Sequence, residues 1–445
     1  MVIKRALLTV SGAALAAALV VPSASTAVAD QVRDDQWALD ALDAESAWKI
    51  SKGEGQTVAV IDTGVNPDHP DLVGNVLRGK DFIDGGDPLP DEGDGHGTAM
   101  ASLIAGHGHG PGKSEGVMGL APEAKILPVR SDGIGSNSGA DAVKYAVDQG
   151  ATVISWSQGS AGKPDPDVVD AIAYALERDV PVFASTGNSG APVEYPAANP
   201  GVVAVGGVTE DGTIWSDSNK GPETLLVAPA TRIVGASSGA GESYRMGTGT
   251  SDATAYAAAA AALLRAEFPD LTAGQVVNRL TKTAELPPSI EGAKLPHSQY
   301  GYGAIRPTAA LTAEIPKGSE FGPLRVPQAI KDARQEAQEQ KERLAESAEM
   351  QKQADRKAII AWSVIGAVGL LVIALVVWLV VRRRRKRNRP GGPGGPGGFP
   401  GPPGPGHPYP YQQQPYGQQP PPQYTSYGTP PPQGHPAPPP QPPPR

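Results

Sequence analysis

Cysteine is absent from all 445 residues of the chain, and cationic residues are in the minority, with 38 lysines and arginines against 46 acidic residues. Without cysteine, the protein can form no disulfide, no thiolate zinc site and no cysteine nucleophile. The formal net charge of −8 argues against nucleic acid as the main partner. The missing disulfides do not fix the compartment, because an exported protein with a large core can do without them.

Glycine and proline are plentiful, at 55 and 47 residues, but much of the excess follows residue 389. A segment of this composition cannot bury a core, and we expect residues 382–445 to be a basic, then Pro/Gly/Gln-rich, disordered cytoplasmic tail. Its proline-rich runs fit modules that bind polyproline helices, and they fit a solubilising tail equally well. A membrane adaptor that recruits partners through this tail is therefore one hypothesis for the protein.

The N-terminus has the pattern of a secretory signal. Lys4 and Arg5 precede an apolar stretch over residues 6–21, and small residues occupy positions 27 and 29. This pattern predicts a signal peptide over residues 1–29 that is cleaved before Asp30. An uncleaved N-terminal anchor is the alternative.

A second apolar run covers residues 358–381 and contains no charged residue. Its length is sufficient for a transmembrane helix, and Trp362 and Trp378 lie near its two ends. Six consecutive cations follow from position 382, so the positive-inside rule places the tail in the cytoplasm. The prediction is a single-pass protein of the cell membrane whose residues 30–357 lie outside the cytoplasm.

The extracytoplasmic part divides into three segments. Residues 30–52 form a lead segment whose apolar residues, Trp37, Leu39, Leu42 and Trp48, we expect to dock on the main domain. Residues 53–315 form that domain, and residues 316–357 a linker with a solvated helical stalk. Within the main domain, short apolar strands alternate with helical stretches, which predicts an α/β fold with a mostly parallel sheet covered on both faces. The predicted strands are 57–61, 125–129, 152–155, 180–184 and 202–205, and the predicted helices between them are 140–148 and 168–178.

Three short motifs of the main domain carry chemistry. Asp62 ends an apolar strand, at the edge of the sheet where sites form in open α/β folds. His96 stands between two glycines at the start of a small-residue helix. Ser251 follows a Gly/Thr-rich turn at the start of an alanine-rich helix, where the helix dipole favours negative charge. Each motif alone is weak, but the order Asp, His, Ser is one of the few in which catalytic triads occur along a chain.

From about residue 55 to residue 310 the sequence resembles the subtilisin-like serine proteases, whose signature blocks surround the same three residues. The stretch around Asn188 is similar to the block that supplies the oxyanion asparagine in that family. The resemblance implies a three-layer fold and serine endopeptidase activity by an Asp62, His96 and Ser251 triad, with Asn188 in the oxyanion hole. It also implies that Ser157, Gln158 and Gly159 line the substrate cleft. In this chemistry His96 accepts the Ser251 proton and Asp62 orients the imidazole.

The complete layout resembles the mycosins, membrane-anchored subtilisins associated with type VII secretion. This implies protein or peptide substrates and partners in a secretion complex. Ala255 and Gln158 depart from the subtilisin pattern, in which proline and leucine are usual, and Gln158 puts inherited substrate preferences in doubt. The segment between Asp30 and Gln56 is too short for a folded pro-domain, so we expect no activation by removal of one. A mainly structural component of the complex, with little turnover, is the alternative function.

No metal or organic cofactor enters the predicted chemistry. His107 and His109 are expected in a glycine-rich loop, and a metal site there lacks an evident third ligand. The acidic stretch from Asp84 to Asp94 fits a solvated loop, with weak calcium binding as the alternative.

Overall fold

The computed structural model describes residues 31–132, 138–238 and 243–387, except for the side chain of Arg387. The predicted signal peptide and nearly all of the predicted tail lie outside the described residues.

A parallel sheet of seven strands forms the centre of the main domain, in the order β2-β5-β1-β6-β7-β8-β9. All of its neighbouring strands are parallel. Two antiparallel hairpins, β3–β4 and β10–β11, lie outside this sheet. The strands are β1 Thr57–Asp62, β2 Lys80–Asp81, β3 His107–His109, β4 Glu115–Met118, β5 Lys125–Arg130, β6 Val153–Trp156, β7 Val182–Ser185, β8 Val202–Val208, β9 Thr224–Pro229, β10 Ile233–Ala236 and β11 Tyr244–Gly247.

Helices cover the sheet and connect its strands. In chain order they are α1 Gln31–Asp34, α2 Trp37–Ala41, α3 Ala44–Trp48, α4 His96–Ala105, α5 Ser138–Asp148, α6 Pro166–Glu177, α7 Thr250–Glu267, α8 Ala273–Thr283, α9 Pro307–Thr312 and α10 Gln328–Arg387. Short 3-10 turns occur at Pro111–Lys113 and Pro288–Ile290.

Alternate residues of β1 point into different cores. Val58 and Val60 belong to one apolar cluster, which also contains the buried residues of α4 and α7. Ala59 and Ile61 belong to a second cluster, formed with α5 and α6. Because successive side chains of a strand face opposite sides, a strand buried on both sides must be apolar throughout, as β1 is. The predicted α/β fold with a mostly parallel sheet between two helical layers is confirmed.

The five predicted strands and the two predicted helices all form, with ends displaced by a few residues. The prediction of a loop at His107 and His109 is wrong, because both residues lie in β3, which pairs with β4. His109 Nδ1 donates to Oδ1 of the buried Asp71 at 2.6 Å. This contact between side chains 38 positions apart could not be read from the local glycine-rich sequence.

Residues 31–48 lie against the main domain. Leu39 and Leu42 are buried in the first apolar cluster. The Gln36 side chain donates to the Met118 carbonyl oxygen at 2.8 Å and accepts from the Met118 N–H at 2.9 Å. Trp48 Nε1 donates to the Leu120 carbonyl oxygen at 2.8 Å. These bonds satisfy main-chain polar groups of the hairpin β3–β4 and of the loop that follows it. Without residues 31–48, these groups would lose their hydrogen-bond partners within the protein.

The segment after α9 also packs on the main domain. Leu324 and Ile330 are buried in the first cluster, and Arg325 Nη2 donates to the Ala198 carbonyl oxygen at 2.8 Å. Packed residues therefore extend beyond position 315, where the sequence places the end of the domain.

Helix α10 contains the second apolar run. It is the one helix in the described part of the chain that is long and apolar enough to cross a membrane. Its large apolar side chains between positions 359 and 381 are exposed. An uninterrupted run of exposed apolar side chains is unfavourable in water, and the lipid core of a membrane would remove that cost.

Candidate active site

Asp62 ends β1 at the carboxyl edge of the sheet and is fully buried. Its Oδ1 accepts a hydrogen bond from His96 Nδ1 at 2.7 Å and another from the Thr63 N–H at 2.8 Å. In the part of the chain that the structure describes, Oδ2 has no hydrogen-bond partner. A buried carboxylate is costly unless it is paired, and the imidazole of His96 is the partner that this arrangement supplies.

His96 is the first residue of α4, and its position is fixed from two sides. The His96 N–H donates to Asp94 Oδ1 at 2.9 Å, which also accepts from the Thr63 hydroxyl at 2.9 Å. A Cβ on Gly97 would lie 2.2 Å from the Gly64 carbonyl oxygen, so only glycine lets this helix approach β1 so closely. The charge of Asp62 raises the pKa of His96, although burial opposes the increase.

Ser251 lies in the first turn of α7, and α7 packs against α4. Its hydroxyl donates to the Ser157 carbonyl oxygen at 3.2 Å. No hydrogen bond joins it to His96 within the described residues. Rotation about the Cα–Cβ bond would redirect the hydroxyl, and in ligand-free enzymes such hydrogen bonds commonly form only once substrate is bound.

Asn188 follows β7 and is oriented by the start of α7. Its Oδ1 accepts from the Thr250 N–H at 2.9 Å and from the Thr250 hydroxyl at 2.8 Å. The amide nitrogen has no acceptor among the described residues and lies 3.4 Å from where a Gly249 Cβ would be. The carboxamide therefore presents a free donor beside the N-terminus of the Ser251 helix.

The three predicted cleft residues follow β6, and the first of them contacts Ser251. Ser157 contacts the Ser251 hydroxyl through its main chain, and Gly159 is exposed. Gln158 Nε2 donates to the Ser131 carbonyl oxygen at 2.8 Å, while its Oε1 is buried without a partner within the described ranges. The structure thus brings the predicted triad, oxyanion and cleft residues to one edge of the sheet.

Asp252 is a second carboxylate at this site, and the sequence analysis assigned it no role. It is 2% exposed, and its Oδ1 lies 3.5 Å from Arg245 Nη2 on β11. Burial raises the pKa of Asp252 to about 6, although the Arg245 charge opposes the increase. The charge of Asp252 in turn raises the pKa of His96. The sequence shows an acidic residue directly after Ser251. Its burial could not be inferred from the sequence, because it depends on how α7 packs.

The Arg130 guanidinium lies among carboxylates of the acidic stretch for which weak calcium binding was the alternative. It lies 2.7 Å from Asp81, 2.9 Å from Asp84 and 2.9 Å from Asp91. The hydrogen bonds that Arg130 donates to Asp81 and Asp84 raise the pKa of the guanidinium. A guanidinium thus pairs with two carboxylates of this stretch. The described residues contain no cluster of three metal-ligating side chains.

Comparison with known proteins links this site to one family. The sequence profile of the Subtilase family, Peptidase_S8, matches residues 53–303. The thermophilic serine proteinase of Bacillus sp. strain AK1 is 39% identical over 227 residues, 50% of this chain and 55% of that protein. Mycosin-1 of Mycobacterium tuberculosis is 33% identical over 359 residues, 66% of this chain and 76% of that protein.

Solved structures give the same relationship. MycP1 from Mycobacterium smegmatis aligns with a TM-score of 0.56 and 30% identity, over 65% of this chain and 88% of that chain. A second structure is of the serine protease MycP1, an essential component of the type VII (ESX-1) secretion system. It aligns with a TM-score of 0.54 and 33% identity, over 62% of this chain and 88% of that chain.

The burial of Asp252 predicts a specific dependence of stability on pH. Between about pH 4 and 6 the folded protein keeps a proton on Asp252 that the unfolded chain releases, so rising pH lowers the free energy of unfolding. Asp252→Asn removes this dependence. At pH 7 its free energy of unfolding is expected to exceed that of the unmodified protein by up to about 3 kcal/mol.

Unfolding midpoints of both proteins between pH 4 and 7 test this expectation, with the exposed Asp270→Asn as the matched control. The difference between Asp252→Asn and the unmodified protein should grow as pH rises. Parallel curves would show that burial of the Asp252 charge is not costly.

Proposed function

Because the chain belongs to the Subtilase family and is a serine endopeptidase, we propose that it hydrolyses peptide bonds with Asp62, His96 and Ser251 as its catalytic triad. The observation that carries this assignment is the 2.7 Å hydrogen bond between His96 Nδ1 and the buried Asp62, beside the helix that begins at Ser251. This bond leaves Nε2 as the ring nitrogen that can exchange a proton with the Ser251 hydroxyl.

In the proposed reaction the Ser251 oxygen attacks the carbonyl carbon of the substrate while His96 Nε2 accepts the hydroxyl proton. The imidazolium formed is stabilised by the Asp62 carboxylate. It then gives its proton to the departing amine as the C–N bond breaks, which leaves an acyl-enzyme on Ser251. A water molecule, deprotonated by the same nitrogen, hydrolyses this ester and restores the hydroxyl.

Two hydrogen-bond donors are assigned to stabilise the negative charge that develops on the carbonyl oxygen. One is Asn188 Nδ2, whose carboxamide is held through Oδ1 by Thr250. The other is the Ser251 N–H, in the first turn of α7. Both donors are fixed before substrate binds, so little reorganisation accompanies formation of the oxyanion.

Side chains of the lead segment bind main-chain groups outside the triad and the predicted cleft. These hydrogen bonds run from Arg33 to Gly116, from Gln36 to Met118, from Trp37 to Thr231 and from Trp48 to Leu120. None of these acceptors belongs to the triad or to the predicted cleft. This favours an active protease over a component retained mainly for its structure.

We further propose that α10 anchors the protein in the cell membrane, with the protease domain outside the cytoplasm. The apolar run of α10, the cations that follow it and the predicted signal peptide support this orientation. The similarity to mycosin-1 and to MycP1 of the type VII (ESX-1) secretion system supports a role in type VII secretion.

The triad assignment predicts how two substitutions affect peptide hydrolysis by the full-length protein. Ser251→Ala should leave no turnover of a mixed peptide library above a small residual rate. Asp62→Asn should lower kcat by about 10⁴-fold, because the imidazole loses its orientation. Since Asp62 raises the pKa of His96, the acid limb of the kcat/KM profile should also move to lower pH in this variant.

Steady-state kinetics across the pH range measure both effects, and the exposed Asp270→Asn serves as the control for folding. Substantial hydrolysis by folded Ser251→Ala would contradict the assignment. So would an unchanged acid limb in Asp62→Asn.

The proposed orientation is testable by thiol labelling, because the chain contains no cysteine. In intact cells, a membrane-impermeant maleimide should label Ser319→Cys, which precedes α10. It should label Ser426→Cys in the tail only after the membrane is permeabilised. The reverse pattern, or equal labelling of both positions in intact cells, would contradict the topology.

A further inference from the structure

Two loops flank Ser251, and the space between them is here called the slot. One follows β6 and contains Ser157, whose carbonyl oxygen accepts the Ser251 hydroxyl. The other follows β7 and contains Asn188, whose free amide nitrogen lies beside Gly249. Because β6 and β7 are adjacent parallel strands, these loops leave the sheet side by side. A substrate residue whose carbonyl carbon is attacked by Ser251 would place its side chain in the slot between them.

Glu194 lies at the far end of this slot and is held by both loops. Its N–H donates to the carbonyl oxygen of Thr186, in the loop after β7, at 3.0 Å. The next residue, Tyr195, exchanges two main-chain hydrogen bonds with Ser160, in the loop after β6, at 3.1 and 2.9 Å. The backbone around Glu194 thereby joins the two loops and closes the slot.

The Glu194 carboxylate lies between two glycines, one from each loop. A Cβ on Gly159 would be 3.4 Å from Glu194 Oε2, and a Cβ on Gly187 would be 2.8 Å from Glu194 Cδ. Any larger residue at Gly187 would meet the carboxylate, and its φ of +109° also favours glycine. The two glycines therefore leave the carboxylate accessible from the slot.

This carboxylate has no partner of its own. Within the described residues it forms no side-chain hydrogen bond and no ion pair, although the residue is partly buried. Its polar neighbour, Asn219, uses Oδ1 to accept from the N–H and hydroxyl of Ser189 and from the Ala191 N–H. The Asn219 amide nitrogen is buried and donates to no group within the described residues, Glu194 included. Burial removes part of the hydration of this carboxylate and no cation replaces it, so a ligand that supplies one would be favoured.

We propose that Glu194 makes the protease prefer lysine or arginine immediately before the cleaved bond. This specificity rests on the proposed function, since it concerns the side chain of the residue that Ser251 attacks. A lysine or arginine side chain entering the slot brings its cation to the carboxylate, and the aliphatic part of that side chain packs between the glycine backbones. An acidic side chain in the same place meets a like charge and is rejected.

The test compares peptides that differ only in the residue before the scissile bond, with arginine, lysine, glutamine, leucine or glutamate at that position. For the full-length protein in detergent, kcat/KM with arginine or lysine should exceed that with glutamine by roughly 10- to 100-fold, and glutamate should be poorest. In Glu194→Gln the ratio of arginine to glutamine should fall close to one. Because the ratio is taken within one variant, a partly folded preparation does not alter it.

Two further variants separate charge from packing. Glu194→Asp keeps the charge on a shorter side chain and should retain part of the preference for basic residues. Glu54→Gln removes an exposed carboxylate that precedes β1, at the opposite edge of the sheet, and should leave the ratio unchanged. A ratio that stays high in Glu194→Gln, or an unmodified protein that cleaves the peptides without favouring basic residues, would overturn the proposal.

A binding measurement keeps this proposal distinct from the proposed function. Full-length Ser251→Ala should bind the arginine peptide more tightly than the glutamine peptide, and the difference should disappear when Glu194→Gln is added. If the unmodified protein hydrolyses no peptide but this difference is found, the catalytic assignment fails and the specificity of the slot stands. Equal binding of the two peptides by Ser251→Ala would overturn the role of Glu194, whatever the rate of hydrolysis.

Discussion

The hydrogen bond between the buried carboxylate of Asp62 and the ring of His96 is the interaction on which the rest of the site depends. The carboxylate is 0% exposed, and the imidazole of His96 is the one side chain that donates to it among the described residues. The strand carries Asp62 into the interior, and a helix must approach it closely to bring the imidazole within reach. Gly97 permits that approach, and Asp94 fixes the first turn of the helix.

The parallel sheet explains why the remaining groups meet at the same place. Strands β1, β6 and β7 are neighbours and run in the same direction. Their carboxyl ends therefore deliver Asp62, the loop of Ser157 and the loop of Asn188 to one edge. Helices α4 and α7 begin at this edge and add His96 and Ser251. Glycines at positions 97, 159 and 187 keep the segments close where side chains would separate them.

The sequence predicted the parts of the fold that depend on local pattern. The apolar strand 57–61, the helix at Ser251 and the order of the motifs were readable because period and composition are local properties. Asp252 and Glu194 were not recognised, since their significance depends on distant neighbours. Arg245 and the packing of α7 surround Asp252, whereas two loops from adjacent strands enclose Glu194. The strand at His109 was missed for the same reason, because its pairing with β4 and its contact with Asp71 are long-range.

The proposed mechanism requires Ser251 to be a nucleophile activated by His96 and Asp62. The most direct measurement is covalent labelling of the full-length protein with a fluorophosphonate, followed by mass spectrometry of the modified peptide. We expect one phosphonyl group per chain, bound to Ser251, and strongly slowed labelling in Asp62→Asn. Labelling at another residue, or labelling of Ser251 at an equal rate without the Asp62 carboxylate, would contradict it.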